Sequence, residues 1–149
     1  MRLISIAVGA LVLAHVAAAD IGIVNLRPTR AHVGDAVTVH VNGYLPLDAA
    51  SMPVVLVRAK QLPRPFPCKG GGICEPIVWR ARLGRLPYVL VGFARNWVRN
   101  RNQPDHADAI VRFRLPAVPL GRYRVALWCG PCVRGPQGSL IGGPTLAVR

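Results

Sequence analysis

Apolar and polar positions alternate with a period of two in several short stretches, and none carries a sustained helical period. The clearest stretch is Val37-Thr38-Val39-His40-Val41-Asn42. Its valines fall on one face of an extended chain, and Thr38, His40 and Asn42 fall on the other. Gly34-Asp35 supplies a turn just before it. Residues 21–27 alternate loosely and stop at Pro28, which suits an edge strand. Residues 53–59 contain Val54-Val55-Leu56-Val57, a continuous β-branched and apolar run of the kind a buried strand carries. Residues 77–83 and 88–94 read as further strands around Gly84-Arg85-Leu86-Pro87. In 110–115, Val111, Phe113 and Leu115 point inward while Arg112 and Arg114 point outward. After Pro119 and Gly121, the residues Tyr123, Val125, Leu127 and Cys129 share a face, and a last run covers 145–148 beyond Gly142-Gly143-Pro144. Two segments, 62–76 and 95–106, read as loops, the first containing Gly70, Gly71 and Gly72. Seven to eight short strands with regular turn signals predict an all-β fold, an antiparallel β-sandwich.

Composition agrees with one such domain. The chain has 149 residues, 52% hydrophobic and 17% charged, with 15 Gly and 14 Pro. That punctuation is too dense for a helical bundle, and the apolar content is too high for a disordered chain. The first 19 residues are different in kind. Arg2 precedes an apolar run from Leu3 to Ala14, and Ala17 and Ala19 are small residues before a cut. This is the layout of a secretory signal peptide, predicting cleavage between Ala19 and Asp20 and one mature domain over 20–149. The run is short for a membrane span, which needs about 20 apolar residues.

Export makes Cys68, Cys74, Cys129 and Cys132 two expected disulfides, with three pairings open. The local pairing, Cys68 with Cys74 and Cys129 with Cys132, is preferred. Loops this short gain only about 2 kcal/mol each from closure, so such bridges stiffen loops more than they hold the fold. Trp128-Cys129-Gly130-Pro131-Cys132 repeats the active-site string of thioredoxins. In that family the first Cys opens a helix whose dipole lowers the thiol pKa. Here Gly135, Pro136 and Gly138 follow, opposing a helix, and only 17 residues remain after Cys132. The string is therefore read as a strand-ending turn, with thiol–disulfide exchange at Cys129 and Cys132 as the competing activity.

Two stretches resemble bacterial secreted immunoglobulin-like domains. The segment from Pro28 to Tyr44, with Val33-Gly34-Asp35, Val37-Thr38-Val39, Val41 and Gly43-Tyr44, is similar to their opening A and B strands. The segment from Phe113 to Leu127, with Pro119, Gly121 and Tyr123, is similar to their E–F corner. The resemblance implies an immunoglobulin-like sandwich with an adhesive, ligand-presenting or spacer role, a fold that hosts many activities. The cysteines are not spaced as the antibody-type pair that brackets a central Trp.

Charge offers the main functional signal. The chain carries 19 Lys+Arg against 6 Asp+Glu, a formal net charge of +13 with pI near 11.4. Of the 19 basic residues 17 are Arg, and removal of residues 1–19, which takes Arg2, leaves +12. Guanidinium forks grip phosphates and carboxylates in two-point contacts. The candidate binding residues are Arg95, Trp97, Arg99 and Arg101 in the 95–106 loop, with Arg112 and Arg114 on a strand face that Arg122 and Arg124 share or neighbour. A mixture of Arg, Asn and Trp suits anionic groups and flat rings. An exported chain is expected to meet an anionic cell-envelope component or an envelope protein, with peripheral contact to a membrane surface and no nucleic acid. A structural subunit of an envelope complex is the further alternative. His32, His40 and His106 lack metal-ligand spacing, and Asp105 and Asp108 around His106 read as a solvated polar loop. No catalytic residue, metal or cofactor is expected.

Overall fold

The structure, a computed structural model, describes residues 21–44, 51–62, 77–81, 87–129 and 138–149, with the backbone alone at 77–81, 129 and 138–139. The segments predicted as the signal peptide and the loop carrying Cys68 and Cys74 lie outside the described residues, as do Cys132 and the side chain of Cys129. Both expected disulfides therefore lie there too. The strands are β1 (Ile21–Arg27), β2 (Arg30–Ala31), β3 (Ala36–Tyr44), β4 (Met52–Arg58), β5 (Ile77–Ala81), β6 (Tyr88–Ala94), β7 (Val98–Arg99), β8 (His106–Arg114), β9 (Gly121–Cys129) and β10 (Gly138–Val148). A single 3-10 turn, Ala59–Gln61, follows β4.

The strands form two sheets. One has the order β1-β3-β8-β7 and the other β2-β10-β9-β4-β6, with β5 also paired to β10. The expectation of an all-β fold holds. Two details of it are corrected: ten strands are described rather than seven or eight, and β2 runs parallel to β10, so the second sheet is mixed. Both short additions are strands that carry no alternation of their own. β2 and β7 are two residues each and exist because a longer neighbour offers an edge.

One core lies between the sheets. It joins Ile23 and Leu26 of β1, Val37, Val39 and Val41 of β3, and Val111 of β8 with Val54 and Leu56 of β4, Tyr123, Val125 and Leu127 of β9 and Leu146 of β10. The period-two reading of β3 is matched residue by residue, with the three valines buried and His40 and Asn42 half-exposed. The six-stranded sheet also buries its opposite face at Val55, Val57, Ala126 and Leu140, against Leu62 and Trp128. This second cluster explains why β4 is apolar at every position from Val54 to Val57: it is covered on both sides, so alternation has no reason to appear.

Two predicted strand boundaries shift, and one expected face divides between the sheets. β8 starts four residues before the predicted strand because its inward residues there are Ala107 and Ala109, too small to announce a face. β10 runs straight through Gly142-Gly143-Pro144, a triplet that reads as a strand boundary in the sequence. The register with β9 slips between Gly142 and Thr145, a bulge in which Pro144 need not donate. Arg122 and Arg124 lie on β9, in the other sheet from Arg112 and Arg114 on β8, so the four do not share a solvent face. The chain changes sheets across 115–120, which puts the two arginine pairs on opposite sides. The Tyr123 hydroxyl closes that crossing by donating to the Pro119 carbonyl at 2.8 Å.

Candidate functional site

On the outer face of the four-stranded sheet, β3 and β8 run antiparallel in unbroken register from Ala36↔Arg114 to Tyr44↔His106. This register brings Asn42 opposite Asp108 and His40 opposite Ile110. Asp108 becomes a hub. Its Oδ1 accepts from Asn42 Nδ2 at 2.8 Å and lies 3.1 Å from His40 Nε2, while Oδ2 accepts from Asn100 Nδ2 at 2.8 Å. Asn100 in turn accepts from the backbone N–H groups of Asn102 and Gln103 at 2.8 and 3.1 Å. Its own N–H donates to the His106 carbonyl at 2.8 Å. The hairpin between β7 and β8 is thus held in shape by one carboxylate and one amide. Tyr44 and His106 close the row with an edge-to-face contact at 5.4 Å.

Beside this network lies an open groove of about 680 Å³ between β6 of one sheet and β8 of the other. Phe93, Val98 and Ile110 give it apolar walls, Arg95 and Arg112 give it two cations, and Asp108 stands at one end. The two edges come close because Gly92 has no side chain: a Cβ there would lie 2.8 Å from Val111 Cγ1. The Asp108 oxygens are already engaged with His40, Asn42 and Asn100. Among the described residues neither Arg95 nor Arg112 forms a hydrogen bond or ion pair, and both ion pairs in the described part join a His to an Asp. No arginine among the described residues is matched to a carboxylate.

The six residues singled out from the sequence fall in different places. Arg95 and Arg112 meet in the groove. Arg99 on β7 and Arg101 in the turn after it are exposed on the adjoining hairpin. Arg114 donates to the Gly34 carbonyl at 3.0 Å and tethers the turn before β3. Trp97 is half-buried and packs against the main core. The Asp108 hub was not legible in the sequence. Asn42 and Asp108 alone are 66 positions apart, and the β3–β8 register joins them. Asp108 and His106 lie in a strand rather than in the polar loop that the sequence suggested.

Chemically, the His40–Asp108 pair lacks a partner for acyl transfer: among the described residues no Ser, Thr or Cys hydrogen-bonds to His40. Among the described residues no cluster of three or more His, Cys, Asp or Glu is placed to hold a metal. Cys129 is the last residue of β9, its backbone paired with Ser139, and the rest of the Cys129-Gly130-Pro131-Cys132 string lies outside the described residues. What the arrangement offers is a shaped, cationic and partly apolar groove. Comparison with protein-family models, with curated proteins and with solved structures found no match to this chain.

Proposed function

We propose that this chain is an exported, immunoglobulin-like β-sandwich that acts as a non-enzymatic binding module, holding an anionic cell-envelope component in the groove between β6 and β8. The observation that carries the reading is that Arg95, just after β6, and Arg112, on β8, line one groove with no carboxylate partner among the described residues. Two like charges converging on an open groove repel each other, and an anion bound between them relieves that repulsion while accepting their forked donors. The apolar walls lower the local dielectric and strengthen the same contacts.

The immunoglobulin-like part of the reading draws support from strand order. A four-strand sheet β1-β3-β8-β7 facing β10-β9-β4-β6 is the order expected of a four-strand sheet opposite a three-strand one that has gained one strand at its edge. The Tyr123–Pro119 hydrogen bond stands where such folds carry their tyrosine corner.

Co-sedimentation of the mature chain with isolated cell-wall and membrane fractions tests the function. Binding at about 50 mM salt that is lost by about 500 mM is expected of contacts between exposed charges. An Arg95→Glu/Arg112→Glu double variant should stay in the supernatant. Arg122→Glu, on the opposite sheet, should sediment as the parent does. Equal sedimentation of the groove double variant, or no sedimentation at low salt, overturns the proposal.

A further inference from the structure

Among the described residues, the four-stranded sheet has an unfinished edge. β3 accompanies β8 over its whole length, but β7 covers it only at Ala107 and Asp108. In an antiparallel ladder the peptide groups of successive residues point alternately to the two sides. Hydrogen bonds at the two ends of β8 set the parity. The His106 carbonyl accepts from Asn100 and the His106 N–H donates to Gln103, both on the side away from β3, whereas the Leu115 N–H donates to Asp35 on the β3 side. The β3–β8 register has no slip, so even-numbered residues of β8 direct their peptide groups away from β3. Those of Asp108 meet β7. Those of Ile110 and Arg112 face the groove, and no strand among the described residues pairs with them.

Unpaired edges are templates for another strand, and proteins usually blunt them. Here the edge is instead flanked by exposed apolar side chains, with Val98 68%, Ile110 56% and Phe93 43% accessible. We propose that an extended acidic segment of a partner protein adds to β8 at Ile110 and Arg112 as a further strand, with its carboxylates on Arg95 and Arg112. This rests on the anionic reading of the same groove and names its ligand class. The edge presents donors and acceptors together, two residues or about 6.8 Å apart, which is the spacing of a β-strand. A polyphosphate brings only acceptors and would set negative charge against the Ile110 and Arg112 carbonyls, and the hydroxyl donors of a lipid headgroup are not held at the spacing of a strand. A peptide satisfies both kinds of group, and strand addition of this sort is a recurring mode of recognition. A second copy of this chain fits poorly, since each carries +13.

The probe is a capped octapeptide of alternating Asp and Val, added to the full mature chain and followed by calorimetry and amide hydrogen exchange. Saturable binding with slowed exchange at the Ile110 and Arg112 N–H groups is expected, weakened about tenfold or more in the Arg95→Glu/Arg112→Glu variant. Two versions of the peptide, N-methylated at its odd or its even amides, separate strand pairing from charge. One should bind about tenfold more weakly, the worth of one or two backbone hydrogen bonds, while the other binds as the parent. If both bind as the parent does, strand addition is overturned and the anionic reading stands. Strand addition is overturned in the same way if polyphosphate or phosphatidylglycerol vesicles bind through Arg95 and Arg112 but the peptide does not. If none of the three probes binds, both readings fall. Protection of Ile110 and Arg112 in the protein alone that grows with its concentration would assign the edge to a second copy instead.

Discussion

Gly143 of β10 lies in close contact with Ile23 of β1 in the other sheet. A Cβ there would lie 2.7 Å from Ile23 Cβ and 2.9 Å from the Val125 carbonyl oxygen, so a methyl group has backbone on one side and β1 on the other. Gly143→Ala should lower stability by about 1–3 kcal/mol through overpacking, read as a lower denaturant midpoint at unchanged slope. Gly92 meets a side-chain methyl instead of backbone, Val111 Cγ1 at 2.8 Å. Gly92→Ala should cost less stability but prise β6 from β8 and weaken anion binding in the groove, measured by the sedimentation assay. At Tyr123 the ring belongs to the core and the hydroxyl to the sheet crossing. Tyr123→Phe keeps the first and removes the second, so a loss of about 1 kcal/mol is expected from chemical denaturation. Nothing in the spelling of Gly142-Gly143-Pro144 announced a close approach. The triplet reads equally well as a strand end, and only the neighbour across the sheet tells the two apart.

Among the elements, the hairpin of β7 and β8 depends on Asp108 more than on apolar burial, because Val98 and Arg99 are exposed. Asp108→Ala would leave Asn42, His40 and Asn100 without their common acceptor. It should speed amide exchange at Asn100 and destabilise the protein by about 1–3 kcal/mol. Exchange at the Val39 and Val41 amides of β3 should change only as far as global stability does. Unchanged exchange at Asn100 would show that the hub does not hold the hairpin. β3 and β6 were legible because each keeps a visible face or clear punctuation. β8 was legible only from Ile110 onward, where Val111, Phe113 and Leu115 carry the inward face. Its first half turns Ala107 and Ala109 inward, and alanine fits a helix, a strand or a loop equally well in a sequence pattern.

Over the whole molecule, charge and topology act together. Of the six residues picked out for binding, Arg95 after β6 and Arg112 on β8 line one groove, whereas Arg114 lies two residues from Arg112 and is occupied with Gly34. Sedimentation should therefore follow the Arg95 and Arg112 pair, with Arg114→Ala acting mainly on stability through the turn before β3. Cys129 at the end of β9 leads to a further expectation: the mature protein should reduce a disulfide substrate no faster than free dithiol, and Cys129→Ser should leave that rate unchanged. The sequence by itself determined the all-β class, the inward valines of β3, the core face of β9 and the basic excess. Each of these follows from local alternation or from composition, which a chain cannot hide. The tertiary structure alone decided that β4 is covered on both faces and that Arg122 and Arg124 stand opposite to Arg112 and Arg114. It also decided that Asp108 gathers three donors and that β8 keeps an open edge beside two arginines. These depend on which strands become neighbours and in what register, and register is set by the packing of distant segments rather than by any one of them.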